Sequence, residues 1–265
     1  MNTLALLPYT YEKLMLFVLV LTRISTFLAT FVMFRQDYVS PRIILGLSSM
    51  LTFYALLLFD NKLASLELFS IPMMAQLIFQ VLLGFVGGLV LNIIFEIFSA
   101  AGQIISTQIG LSMVTLIDPR LGAITPLTLF YNYVAIIIFL LLNGHLTMID
   151  LLLRSFSIIP INYIIIPTDM IMNILKYAAI IFNGGVGLSI TIIITMLLTN
   201  LTIAVMTRFA PQFNIFSIGL NLTIILGLIF IFLTFDLFVS NGEQYISDGL
   251  IYLQNVIYGM KLHGG

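Results

Sequence analysis

The chain has no cysteine and no tryptophan, two histidines, and charged side chains at only 8% of its 265 residues. Each scarcity removes a class of function. Without cysteine there is no disulfide, no thiolate metal site and no cysteine nucleophile. His145 and His263 stand far apart, and no H-E-x-x-H, phosphate-loop or nucleophile-elbow pattern accompanies them. The sequence therefore predicts a non-enzyme without metal or cofactor. Ten Lys and Arg against eleven Asp and Glu leave a net charge of -1, with no basic patch for a nucleic acid. The connecting stretches hold too few basic residues for the positive-inside rule to fix an orientation.

What the chain does have is apolar surface: 61% hydrophobic residues and a mean hydropathy of +1.17. No soluble domain covers such a composition with polar surface. Charge-free stretches run from Leu68 to Phe95, Ile97 to Ile117, Leu121 to Ile149, Tyr177 to Thr207 and Phe209 to Phe235, and two earlier apolar segments, Leu14 to Phe34 (holding Arg23) and Ile43 to Phe59, are also long enough to count. A helix of roughly 20 apolar residues crosses a bilayer core, so the pattern predicts an all-α, polytopic membrane protein of about six hydrophobic helical segments. The runs lack the period-two alternation of barrel strands. No cleavage site for a leader follows the first apolar run.

Breaks fall at residues 35–42, 60–67, 117–126, 143–169 and 208–214, where most prolines and charges lie. Within the fourth, the pattern predicts an interfacial helix from Leu146 to Ile158. His145 follows the turn pair Asn143-Gly144. Glycines cluster at Gly84, Gly87 and Gly88 and again at Gly184, Gly185 and Gly187, as expected where helix backbones approach closely. Thr191, Thr195, Thr199 and Thr202 share one helical face, which in lipid must pack on a neighbour, border water, or bond its own helix carbonyls.

Charges inside apolar runs are expensive and have partners. Arg23 lies mid-run, and Glu96 separates two charge-free stretches near Asn92, Gln103 and Gln108. Two readings are open: an ion or proton path, or a structural pair or subunit contact, the second favoured by the small number of intramembrane acids. The stretch GLSMVTLIDPRLGAITP at 110–126 is similarly open between a surface turn and a loop held within the membrane layer.

The stretches AGQIISTQIGLSMVTLIDP (101–119), NGHLTMIDLLLRSFSIIPI (143–161) and RFAPQFNIFSIGL (208–220), in this order and spacing, resemble the FliR/SctT family of type III secretion export-gate subunits. Arg23 and the Pro41-Arg42 turn extend the likeness, and Ile218-Gly219 is closer to flagellar than to virulence members. The resemblance implies bent helical hairpins packed in a hetero-oligomeric gate of the bacterial inner membrane, within the flagellar basal body. It implies FliP-like and FliQ-like partner subunits, FlhB-like and FlhA-like neighbours, and unfolded flagellar proteins as cargo. Residues 1–170 resemble a FliP-like part and 171–265 a FliQ-like part of one membrane unit.

In this family the first stretch is a plug loop, which assigns Gly110, Met113, Leu116, Ile117, Asp118 and Pro119 to the plug. Apolar side chains of the loop form a deformable seal; glycine lets the backbone leave helical geometry and proline stops the helix. Arg23, Glu96, Arg208, Pro211, Gln212, Asn214, Phe216 and Gly219 are assigned to subunit interfaces or structural turns. A secondary transporter, with Arg23, Glu96 and the threonines around a midplane solute, is the competing expectation.

Overall fold

The computed structural model describes residues 3–34, 39–58, 70–112, 125–161, 168–209 and 215–262. Among these residues every regular element is helical: α1 (Thr3–Thr30), a single 3-10 turn (Val32–Phe34), α2 (Pro41–Leu58), α3 (Ile71–Ile109), α4 (Pro126–Leu141), α5 (Gly144–Ile158), α6 (Thr168–Ala178), α7 (Ile180–Phe209) and α8 (Ile215–Leu262). Five helical spans among the described residues are long and apolar enough to cross a membrane, or up to six if α4 and α5 together form one broken span. The chain is thus an all-α membrane protein.

Helix starts follow a common local chemistry. Ser40 precedes Pro41, Ser70 stands two residues before Pro72, and Thr125 precedes Pro126. Proline in the first turn gives up no needed donor, and the preceding hydroxyl residue serves as the cap. At α4 the Thr125 side chain accepts from the Thr128 amide at 3.2 Å. At α3 the Met73 amide donates to the Ser70 hydroxyl at 3.4 Å. Between α4 and α5, Asn143 sits at φ 54°, a left-handed conformation that asparagine tolerates better than most residues. The turn pair Asn143-Gly144 is therefore the break between those helices.

One expectation changes. The runs on either side of Glu96 form one 39-residue helix, α3. Glutamate is a good helix former, so a charge that interrupts a hydropathy profile does not interrupt a backbone. The helix expected from Leu146 to Ile158 is present as α5, with Met148, Leu151, Leu152, Leu153 and Phe156 buried on one side. Its polar side holds Asp150 and Arg154, paired at 2.7 Å.

The chain divides into two compact units that alternate along the sequence: residues 1–92, 143–175 and 249–265 make unit 1, and residues 93–142 and 176–248 make unit 2. In unit 1, α1 buries Leu19, Val20, Ile24, Phe27 and Leu28 with Phe79, Val90, Leu152, Phe156 and Leu253. Glycines let α1 and α3 approach: a Cβ on Gly84 would collide with the Arg23 carbonyl oxygen, and one on Gly88 would meet Thr30 Cβ at 2.7 Å. In unit 2, Phe98, Tyr131 and Phe238 form the aromatic centre, with ring centroids 5.9 Å apart for Phe98–Phe238 and 4.3 Å for Tyr131–Phe238. A Cβ on Gly185 would lie 2.8 Å from Ala100 Cβ, and one on Gly227 would lie 2.5 Å from the Ile109 side chain. Both glycine clusters thus serve helix contact.

Candidate functional site

Two places carry chemistry that apolar packing does not account for, one in each unit. In unit 1 it is Arg23, which is 1% exposed. Its Nε donates to Gln80 Oε1 at 2.6 Å. One terminal nitrogen donates to the Ser155 carbonyl at 3.1 Å and lies 3.3 Å from the Ser155 hydroxyl. The other donates to the Ile159 carbonyl at 3.1 Å. The guanidinium also lies over the Phe156 ring, 4.3 Å from its centroid.

Ser155 and Ile159 are at the end of α5, where the dipole is negative; the Ser155 carbonyl accepts the Ile159 amide at 2.9 Å as well as Arg23, whereas carbonyls of the last turn such as that of Ile159 have no helix partner of their own. Arg23 therefore caps α5 from α1, and Gln80 on α3 orients it. Gln80 itself is fully buried and donates onward to the Ile161 carbonyl at 3.4 Å. No carboxylate belongs to the set. The cleft beside Arg23 is otherwise walled by apolar groups such as Phe27, Leu152, Leu253 and Ile257. A charged group held by neutral acceptors in an apolar wall makes a structural clamp, with no second titratable group to pass a proton to. Gln80, Ser155 and Phe156 carried no sequence signal except that Gln80 is one of the few amides, with Gln76 and Asn92, in a greasy run.

In unit 2 the site is the mount of the segment 113–124. α3 ends at Gly110, whose φ is 89°. The Leu111 amide donates to the Ser106 carbonyl at 3.0 Å and the Gly110 amide to the Thr107 carbonyl at 3.2 Å. This is the paired bonding of a Schellman C-cap, with glycine at the left-handed position. On the far side of the segment, Thr125 caps α4, and its hydroxyl lies 2.8 Å from that of Thr128. The Thr128 hydroxyl donates to Gln103 Oε1 at 3.3 Å, and Gly102 admits the Thr128 backbone, since a Cβ there would lie 2.8 Å from Thr128 Cα. The outgoing and returning helices are thus bonded to each other at the base of the segment. Thr125 and Thr128 were legible only as a Thr-Pro helix start.

The remaining assigned residues fall as follows. Met113, Leu116, Ile117, Asp118 and Pro119 lie outside the described residues, as do Pro211, Gln212 and Asn214. The helices flanking residues 210–214 end at Phe209 and begin at Ile215. Phe216 and Gly219 lie in the first turns of α8, and Arg208 is exposed in the last turn of α7. Glu96 is exposed on α3 and is not among the partners of Arg23. In the threonine stripe, the Thr195, Thr199 and Thr202 hydroxyls donate to carbonyls of their own helix at 2.6, 2.9 and 2.9 Å. Three of the four threonines are thus satisfied within their own helix.

This long-helix membrane protein, whose α3 and α4 are bonded to each other, matches a known family over most of its length. Residues 14–249 fit the model of the bacterial export proteins, family 1, and the chain belongs to that family. Among its relatives is the flagellar biosynthetic protein FliR of Escherichia coli K12, 30% identical over 244 residues, 91% of this chain and 92% of that protein. FliR of Buchnera aphidicola subsp. Schizaphis graminum is 30% identical over 232 residues, 86% of this chain and 89% of that protein. The surface presentation of antigens protein SpaR of Shigella flexneri is 30% identical over 175 residues, 66% of this chain and 65% of that protein.

Proposed function

We propose that the chain is a non-enzymatic subunit of the flagellar type III export gate in the bacterial inner membrane, and that its 113–124 segment plugs the protein-conducting pore. The observation that carries this reading is the mount: Gly110 and Thr125 end and start their helices with complete caps, and Gln103 ties α3 to α4 between them. The two described ends of the segment are thereby held close to each other. Met113, Leu116 and Ile117 then supply side chains that pack when the pore is empty and yield to a threading polypeptide. Asp118 and Pro119 form the bend. Irregular backbone at membrane depth survives only against protein or water, and a pore provides both.

The proposed partners are FliP-like and FliQ-like subunits, with FlhB-like and FlhA-like proteins nearby and unfolded flagellar proteins passing through. Residues 1–170 take the FliP-like role and 171–265 the FliQ-like role. The secondary-transporter reading has lost its components: Arg23 is consumed as a helix cap and the threonines bond their own helix.

Purification in mild detergent from cells expressing the whole gate, followed by native mass measurement, tests the assignment. A hetero-oligomer with FliP-like and FliQ-like chains is expected; a monomer or homodimer with solute flux of its own contradicts it. Alanine at both Gln212 and Asn214 is expected to lower recovery of that complex severalfold, if these side chains supply polar contacts to it as proposed.

A further inference from the structure

α3 changes the character of its exposed face halfway along. From Ile71 to Asn92 the exposed positions are Ile71, Pro72, Met74, Ile78, Val81, Leu82 and Phe85, all apolar. From Ile93 to Ile109, within unit 2, the exposed positions are Glu96, Gln103 and Thr107, all polar. Separations of seven and four residues place these three within about 40° of one another on a helix of 3.6 residues per turn. Every other residue of that half is buried or partly covered, so the stripe is narrow.

We infer that this stripe is a wetted wall of the protein-conducting path, leading along α3 to the base of the plug. The inference rests on the proposed export-gate reading and adds to it a second lining element besides the plug. A carboxylate on a membrane-length helix cannot face lipid at tolerable cost. Facing another subunit, it would need a cationic or strongly donating partner to offset desolvation; facing water, it needs nothing. Glu96 makes no hydrogen bond or ion pair among the described residues, and Gln103 and Thr107 are exposed on the same face. The stripe runs out at Gly110, where the chain turns into the 113–124 segment. Polar groups without a dominant charge pattern suit a wall along which unfolded chains of any sequence slide.

The absence of cysteine makes the test direct. In the complete gate, E96C, Q103C and T107C are treated with a charged, membrane-impermeant thiosulfonate, with I78C and F85C as apolar exposed controls. Modification of the three stripe positions at least tenfold faster than the controls, slowed by a substrate stalled in the gate, supports the wetted wall. Modification in the isolated chain but not in an intact complex of confirmed mass overturns it while leaving the export-gate reading standing. Failure of the unaltered chain to assemble with gate subunits at all overturns both. As a second readout, E96K in a gate lacking Met113 to Ile117 is expected to lower the cation-to-anion permeability ratio at least twofold; an unchanged ratio counts against the inference.

Discussion

At the scale of single residues, Arg23 dominates unit 1. Its guanidinium satisfies Gln80 and two carbonyls at the end of α5. Arg23→Ala removes the donors to the buried Gln80 Oε1 and to the Ile159 carbonyl, leaves the Ser155 carbonyl only its bond from the Ile159 amide, and opens space beside Phe156. A hydrogen bond to a charged group contributes about 1.5–3 kcal/mol, so the loss is expected to exceed about 3 kcal/mol. Arg23→Lys retains the charge without the fork that reaches three partners, and is expected to recover less than half of that loss. Circular dichroism on heating in detergent checks both; an unshifted melting curve for Arg23→Ala would sink the clamp. Arg23 was visible in the sequence as a charge in a greasy run. Its partners were not, because they lie 57, 132 and 136 residues away and three of its acceptors are carbonyls or an amide that any sequence carries.

Asn143 makes a smaller claim of the same kind. Its left-handed backbone costs other side chains about 1–2 kcal/mol. Asn143→Gly is expected to be neutral and Asn143→Ala to cost about 1 kcal/mol; equal melting temperatures for the two variants contradict the assignment of strain to this turn.

At the scale of elements, the structure is one of close helix contacts gated by glycine. Gly84 and Gly88 admit α1, while Gly46 on α2 and Gly259 on α8 have nothing within 4 Å of an added Cβ. Alanine at Gly84 or Gly88 is therefore expected to cost about 1–3 kcal/mol by overpacking. Alanine at Gly46 is expected to gain up to about 1 kcal/mol from helix propensity alone. The three melting temperatures separate the two groups; a loss at Gly46 as large as at Gly84 refutes the contact argument. Such contacts were legible as glycine clusters in apolar runs, since little else puts several glycines into a helix. Helix continuity was less so. Glu96 read as a boundary because hydropathy counts charges, whereas the backbone responds to propensity and capping, and no cap occurs near Glu96. The threonines of α7 were legible as a stripe, but whether a threonine bonds its own carbonyl or a neighbour is a rotamer choice that spacing does not determine.

At the scale of the whole molecule, much of the apolar surface remains uncovered by the chain itself. Only 22% of the most apolar window of α2 and 17% of that in the α8 span are buried. Phe182, Phe209 and Phe232 are 77%, 83% and 80% exposed. Lipid or other subunits must cover these faces, and hydropathy cannot distinguish the two because both reward the same residues. The family, by contrast, was legible from three motifs, and the match over residues 14–249 spans all of them. The function proposed here turns on the segment those motifs placed at 110–119 and on the bonded helices that hold it.

Ion conductance of the assembled gate, with and without Met113 to Ile117, tests that most directly. The deletion leaves the Gly110 and Thr125 caps intact, so assembly is expected to persist while leak current at rest rises at least tenfold. A complex of unchanged mass whose resting conductance is also unchanged contradicts the plug.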